Sequence, residues 1–268
     1  MTKKILYLCQ QITPCLPEDE ESWLCRYLPQ QIQDLGYETR TFMPRFGCIN
    51  ERRNQLHEVI RLSGMNLIIG GMDHQLIIKV ASIPSARIQI YFIDNEDYFA
   101  RKATLKKAAG EYFKDNDERM IFFIRGALET VRKLRWVPDI VHCHGWFSAV
   151  AAAFIKDTLA DDPVFKNTKI VISLYNDTFP GELDKSLIGK LKKEGIDRDR
   201  LTVLQSPSYE NLYKFVLNYV DGVIAASEDV SADILGEAEK LGKPILQYQK
   251  PSDGNFYENY NTFYENLL

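Results

Sequence analysis

Short apolar runs, each followed by a helical pattern, limit most strongly what this chain can fold into. The first run, residues 4–9, is rich in β-forming side chains, and the apolar residues of 20–35 then recur every three or four positions. Gly36 lies where such a helix would end. In residues 37–43 apolar and polar side chains then alternate, which is typical of a strand. A strand, a helix and a second strand in this order predict a unit of parallel sheet.

The same pattern returns in the C-terminal half. Residues 140–144 form an apolar run that ends at Gly145, and residues 146–159 follow as an Ala-rich apolar helix. The tail, residues 256–268, carries aromatic side chains at helical spacing and is predicted to be a docked helix. The same criteria predict strands at 169–174 and 222–226, and helices at 117–134, at 209–220 and after a cap at 227–229.

Between the two halves lie several runs of β-forming residues, at 65–69, 75–83 and 88–93, with Gly70-Gly71 and Pro84-Ser85 as turns. They predict β-hairpins inserted after the second strand. No internal repeat or low-complexity linker divides the chain, so residues 1–268 are expected to form one domain. The predicted fold is α/β, with a single doubly wound, mostly parallel, Rossmann-like sheet and inserted hairpins.

Composition excludes several classes of function. The chain has 268 residues, 33 basic and 37 acidic, and a net charge of −4, so a nucleic acid partner is not expected. Its apolar stretches are far shorter than the roughly 20 residues that span a bilayer, and the N-terminus is interpreted as a strand rather than a signal peptide. Five cysteines without a CxxC pair suggest neither a disulfide framework nor a zinc ribbon, and a cytoplasmic location is expected.

Ligands of open parallel sheets bind where the strands end at their carboxyl edge. The first of these loops contains no glycine and has four consecutive acids at 18–21, which would repel a phosphate. Neither GxGxxG nor the P-loop pattern occurs, so no nucleotide cofactor is predicted. The four acids are most simply the negatively charged first turn of a helix.

Side chains after the later strands offer further candidates. His142 and His144 lie on one strand face and could bind a metal, but no third ligand is recognisable nearby, so no metal site is predicted. Trp146 is either a platform for stacking a sugar or the anchor of an apolar helix. Asn176 and Asp177 could bind hydroxyl groups or form an Asx turn.

Ordered blocks of sequence make the chain resemble bacterial glycogen synthases and plant starch synthases. The blocks that carry the resemblance are residues 4–8, 41–47, 91–94, 115–119, 122–129, 138–146 and 220–227. The family's enzymes are retaining GT-B glycosyltransferases, which transfer glucose from a sugar nucleotide to an α-1,4-glucan between two Rossmann-like domains. The resemblance covers the first domain and leaves the second without a counterpart before Leu268, except that residues 256–268 are similar to the family's returning last helix.

The first domain departs from the family pattern where chemistry is expected. The family's Lys-Thr-Gly-Gly loop corresponds to the acidic residues 16–21, the Asp of its His-Asp-Trp motif to Gly145, and a later His to Tyr175. Losing a lysine, a carboxylate and an imidazole together argues against glucosyl transfer, so no catalytic residue is assigned. The substrate-binding candidates are His144, Gly145, Trp146, Tyr175, Asn176 and Asp177.

Two functions remain open at this point. One is a non-catalytic domain that binds a glucan, such as a maltooligosaccharide, or a protein partner. The other is a subunit of an ADP- or UDP-glucose-dependent glucosyltransferase whose donor-binding half comes from another chain or a second copy. An unrelated activity on the same fold is the third alternative, because fold does not determine function.

Overall fold

The computed structural model describes residues 2–83, 86 and 88–268, and within them one mixed sheet dominates. Its strands are Lys4–Cys9 (β1), Glu38–Pro44 (β2), His57–Glu58 (β3), Met65–Ile69 (β4), Met72–Ile83 (β5), Ile88–Asp94 (β6), Ile140–His144 (β7), Lys169–Leu174 (β8), Gly222–Ala225 (β9) and Ile245–Leu246 (β10). The spatial order is β10-β9-β8-β7-β1-β2-β6-β5-β3, and β4 pairs with β5. All neighbours from β10 to β6 are parallel, whereas β5 is antiparallel to β6, β4 and β3.

Helices connect the parallel strands. They are Glu20–Asp34 (α1), Glu96–Phe99 (α2), Asn116–Lys133 (α3), Trp146–Ala149 (α4), Ala151–Ala153 (α5), Leu187–Lys193 (α6), Tyr209–Val216 (α7), Ala232–Lys240 (α8) and Phe256–Leu267 (α9). Residues 5–9 of β1, at the centre of the sheet, are fully buried, as expected of a parallel strand that is covered on both faces. The predicted doubly wound, mostly parallel α/β fold is therefore confirmed.

Several boundaries differ from the sequence prediction. The helix expected over 146–159 is interrupted: α4 and α5 are short, and Phe154–Thr158 forms a π-helical turn. The cap expected at 227–229 is wrong, because the Ser231 side chain accepts the hydrogen bond from the Ile234 amide at 3.5 Å. The short strands β3 and β10 and the helix α6 were not predicted, since each has too few residues to show a period.

The inserted hairpin consists of β4 and β5, joined at Gly70 and Gly71, which both have positive φ as the predicted turn requires. Strand β6 pairs antiparallel with β5, as a second predicted hairpin requires, and it also pairs in parallel with β2, which joins the hairpins to the main sheet. The turn predicted at Pro84-Ser85 lies outside the described residues. No helix in the described part of the chain is both long and apolar enough to cross a membrane.

The last helix, α9, packs on the sheet face that carries His142. The Tyr264 hydroxyl is hydrogen-bonded to His142 Nδ1 at 2.7 Å, and Ser173 Oγ is bonded to His142 Nε2 at the same distance. A Cβ atom on Gly222 would come within 2.8 Å of the Phe263 ring, so glycine at the start of β9 permits the close approach of α9. The Trp23 and Phe256 rings, 5.7 Å apart, extend this contact to α1.

Candidate functional site

The candidate residues follow two neighbouring strands, β7 and β8, and the parallel register brings them together at the carboxyl edge of the sheet. His144 Nδ1 is hydrogen-bonded to the Tyr175 hydroxyl at 2.6 Å. The Trp146 amide donates to Asp177 Oδ2 at 3.1 Å. The structure thus places the predicted residues in one cluster, in which Asn176 is the exposed member.

Gly145 lies at the centre of this cluster, and a side chain there would be strained and crowded. Its φ is +73°, a conformation that residues with a Cβ atom rarely adopt. A Cβ atom at this position would lie 3.0 Å from Glu21 Oε1, 3.1 Å from Asp177 Oδ2 and 3.2 Å from Gln10 Oε1. The space beside Gly145, where the resemblance places an aspartate, is therefore lined by oxygen atoms from three other parts of the chain.

The buried Glu21 and the partly exposed Asp177 form a close pair of carboxyl groups beside Gly145. Burial, and after it the charge of Asp177, raises the pKa of Glu21 well above its usual range. Burial likewise raises the pKa of Asp177 to about 6, although hydrogen bonds from the Tyr209 hydroxyl and the Trp146 amide oppose the shift. Glu21 Oε2 accepts a hydrogen bond from Gln10 at 3.3 Å, while Oε1 has no hydrogen-bond partner among the described residues. Like charges this close favour retention of a proton at neutral pH.

The Trp146 ring is enclosed by protein. Only 1% of the residue is exposed, and its ring packs against Phe179 at 4.7 Å and Phe147 at 5.4 Å between centroids. Of the two alternatives for this residue, the geometry matches the helix anchor, because no face of the ring is open for a sugar. His144 and Tyr175 are buried as well, so Asn176 and the partly exposed Asp177 are the candidates that reach solvent.

The two histidines are buried and neutral. Burial lowers the pKa of His142 well below its usual range and that of His144 to about 3. Both nitrogens of His142 have hydrogen-bond partners, which matches the interpretation as a satisfied core histidine. His144 differs, because Nδ1 is bonded to Tyr175 while Nε2 has no hydrogen-bond partner in the described part of the chain.

The acidic segment begins α1, as predicted. Asp19 caps the helix by accepting from the Ser22 amide at 2.8 Å, and Ser22 Oγ accepts from the Asp19 amide at 2.8 Å. Glu20 and Glu21 occupy the first turn, where the helix dipole favours negative charge.

Gln10, Glu21 and Tyr209 were not predicted to be members of the site. A signal for Glu21 was present, since it lies three and four residues before Leu24 and Cys25 on the apolar face of α1. A carboxyl group on the buried face of an amphipathic helix needs a partner inside the protein. Tyr209, whose hydroxyl donates to Asp177 Oδ1 at 2.8 Å, carries no comparable signal.

Fold and site together define a Rossmann-like α/β protein with its candidate site at the carboxyl ends of β7 and β8. A family model described as the starch synthase catalytic domain matches residues 4–245. The chain therefore belongs to the starch synthase catalytic domain family, which confirms the resemblance found in the sequence.

Curated relatives agree with this assignment. The chain is 34% identical over 194 residues to a glycogen synthase of Chlorobium luteolum, covering 72% of this chain and 40% of the relative. It is 30% identical over 237 residues to a glycogen synthase of Chlorobium phaeovibrioides, covering 88% of this chain and 48% of the relative. The chain thus spans about half the length of the curated relatives it matches.

The fold also matches a solved structure, the catalytic domain of starch synthase IV from Arabidopsis thaliana bound to ADP and acarbose. The TM-score is 0.72 at 16% sequence identity, and the match covers 93% of this chain and 52% of that one. At this identity the likeness establishes the shared fold.

Proposed function

We propose that this chain is a glycogen-synthase-like domain that does not transfer glucose by itself and that acts in glycogen metabolism by binding a glucan or a protein partner. The surroundings of Gly145 carry the proposal. By the resemblance the family's His-Asp-Trp aspartate corresponds to this position, and Glu21, Asp177 and Gln10 approach it so closely that a side chain there would force their oxygen atoms to shift. The free cysteines fit a role inside the cell.

Two further features support the absence of transfer. The Tyr175 hydroxyl, at the position of the family's later histidine, is bound to His144 and supplies no imidazole. The segment at the family's Lys-Thr-Gly-Gly position is the acid-rich start of α1, which lacks the positive charge that stabilises a departing diphosphate.

A pocket beside the cluster is suited to a glucan. It has a volume of about 380 Å³ and combines aromatic side chains with carboxylates. The partly exposed Tyr112 ring lines it, 6.4 Å from the buried ring of Phe179, and Glu182 and Asp184 line it as well. Aromatic rings stack on the apolar faces of sugars, and carboxylates accept hydrogen bonds from their hydroxyls.

The decisive test is incorporation of labelled glucose into glycogen from ADP-glucose and from UDP-glucose, using purified chain free of host synthase. A full-length glycogen synthase serves as the positive control. We expect no incorporation above the blank, and none from Gly145→Asp, because one carboxylate restores neither the imidazole nor the lysine. Incorporation by the wild-type chain would overturn the proposal.

Binding of a glucan is tested by affinity electrophoresis in gels that contain glycogen. We expect retardation of the wild-type chain and less retardation of Tyr112→Ala, with Tyr257→Ala as the matched control on the distant helix α9. If the wild-type chain migrates as it does in a glycogen-free gel, glucan binding is excluded and a protein partner remains as the proposed ligand.

The second candidate function is a subunit of an active glucosyltransferase. It is favoured by one observation, namely that the match covers only 52% of a starch synthase catalytic domain that was solved with ADP and acarbose. This candidate requires a donor-binding half from outside these 268 residues. Co-purification of a separate Rossmann-like polypeptide supports this candidate, whereas a monomer in native extracts contradicts it.

A further inference from the structure

We propose that Cys9, Cys25 and His144 form a buried binding site for one zinc ion. Their ligand atoms, the two sulfurs and a ring nitrogen, all lie within 4.8 Å of one another, and all three residues are fully enclosed. Zinc holds sulfur at about 2.3 Å and imidazole nitrogen at about 2.0 Å, so each ligand would need to move by about 1 Å or less.

The fold brings these residues together from distant parts of the sequence. Cys9 ends β1 and His144 ends β7, and the two residues are direct neighbours in the parallel register of these strands. Cys25 lies on the buried face of α1, which covers this end of the sheet. The site therefore rests on two adjacent strands and one helix, which are rigid elements suited to a metal site.

The chemistry of the three groups matches zinc. Thiolates and imidazole are its preferred ligands, and two thiolates balance its charge, which matters where no solvent is present. When one nitrogen of His144 binds zinc, the other would remain hydrogen-bonded, as Nδ1 is to the Tyr175 hydroxyl at 2.6 Å. A metal-bound histidine usually makes such a second hydrogen bond. On binding, each thiol loses its proton to solvent as its Zn–S bond forms.

Glu21, in the first turn of the helix that carries Cys25, is our candidate for a fourth ligand. It lies one helical turn before Cys25, and its Oε1 atom has no hydrogen-bond partner among residues 2–83, 86 and 88–268. Zinc in structural sites is almost always four-coordinate. Glu21 Oε1 and His144 Nε2 are thus both buried polar atoms without a hydrogen-bond partner in the described part of the chain.

The first experiment measures zinc in the full chain, expressed in zinc-supplemented medium, so that the ion is present while the chain folds, and purified in reducing buffer without chelator. We expect close to one zinc per chain, and X-ray absorption that fits a mixed sulfur and nitrogen or oxygen ligand set. After extraction with a chelator, zinc alone is titrated back and should release protons. This readout is independent of glucosyl transfer and of glucan binding.

Variants assign the ligands. Cys9→Ser and Cys25→Ser should each weaken zinc binding by at least about ten-fold. Cys143→Ser is the matched control, because Cys143 is a buried cysteine on β7 whose side chain points to the opposite face. Cys48→Ser controls for an exposed thiol.

The proposal would be overturned by wild-type protein without zinc after both routes of loading, by zinc retained in Cys9→Ser and Cys25→Ser, or by a mass two hydrogens lower that maps to a Cys9–Cys25 disulfide. A spectrum without sulfur ligands would do the same, and it needs no variant to fold.

Discussion

Glu21 Oε1 and Asp177 Oδ2 lie 3.0 and 3.1 Å from one point, the position that a Cβ atom of Gly145 would occupy. One carboxyl group comes from the first helix and the other from the loop after β8, so neither is near Gly145 in sequence. The resemblance found in the sequence aligns the aspartate of the family's His-Asp-Trp motif with this same position. The consequences for stability and pH dependence can be measured directly.

Gly145→Ala should lower the free energy of unfolding by about 1–3 kcal/mol, because it combines a positive φ with contacts to three oxygens. Gly145→Asp should cost more, since it adds a third carboxyl group. Urea denaturation measures both. Gly189→Ala is the control, because a Cβ atom on Gly189, in α6, would have nothing within 4 Å, and this variant should be neutral or slightly stabilising. An unchanged midpoint for Gly145→Ala would contradict the crowding.

Asp177 should make stability depend on pH. Its carboxyl has a pKa of about 6 in the folded chain and about 4 when unfolded, so between these values only the folded state keeps the proton. The free energy of unfolding therefore falls as the pH rises through this interval. Asp177→Asn removes this loss. As the pH rises from about 4 to about 8, the free energy of unfolding of the variant should therefore increase relative to that of the wild type by about 1–3 kcal/mol.

Chelator-treated protein and urea denaturation at several pH values suit this measurement. Glu18→Gln is the control, because Glu18 is exposed at the start of the same segment, and it should follow the wild type at every pH. A constant difference between Asp177→Asn and the wild type would show that the carboxyl has an ordinary pKa.

Tyr264→Phe tests the contact between α9 and the sheet. Removing the hydroxyl leaves His142 Nδ1 buried without its partner at 2.7 Å, which should cost about 1–3 kcal/mol. Hydrogen exchange should show faster opening of α9. Tyr257→Phe, on a partly exposed residue of the same helix, should change stability by about 0.5 kcal/mol or less. Equal stabilities of the two variants would mean that the hydrogen bond does not hold the helix.

Trp146→Ala should lower the free energy of unfolding by about 3–5 kcal/mol, because it empties a fully packed position between Phe147 and Phe179. Asn176→Ala, at the exposed neighbour in the cluster, should leave stability within about 0.5 kcal/mol of the wild type. Thermal denaturation distinguishes them. A Trp146→Ala variant of wild-type stability would make the ring a candidate sugar platform again.

Local patterns in the sequence were enough to predict most of the sheet. Strand Lys169–Leu174 was predicted with its observed bounds, and α1 to within one residue, because a buried strand needs a continuous apolar run and a half-buried helix needs a stripe. The interruption of the helix after Gly145 was not predicted, since residues 146–155 are almost all apolar and carry no period that marks a break.

The sequence by itself determined the fold class, the family and the loops where a site would lie. Only the tertiary structure decided which side chains meet there. Glu21, Cys25 and Asp177 approach Gly145 and His144 through strand register and the placement of α1, and no local period encodes either. The physical reason is that periodicity specifies which face of an element is buried, whereas the partner on the other side of that face depends on how whole elements pack.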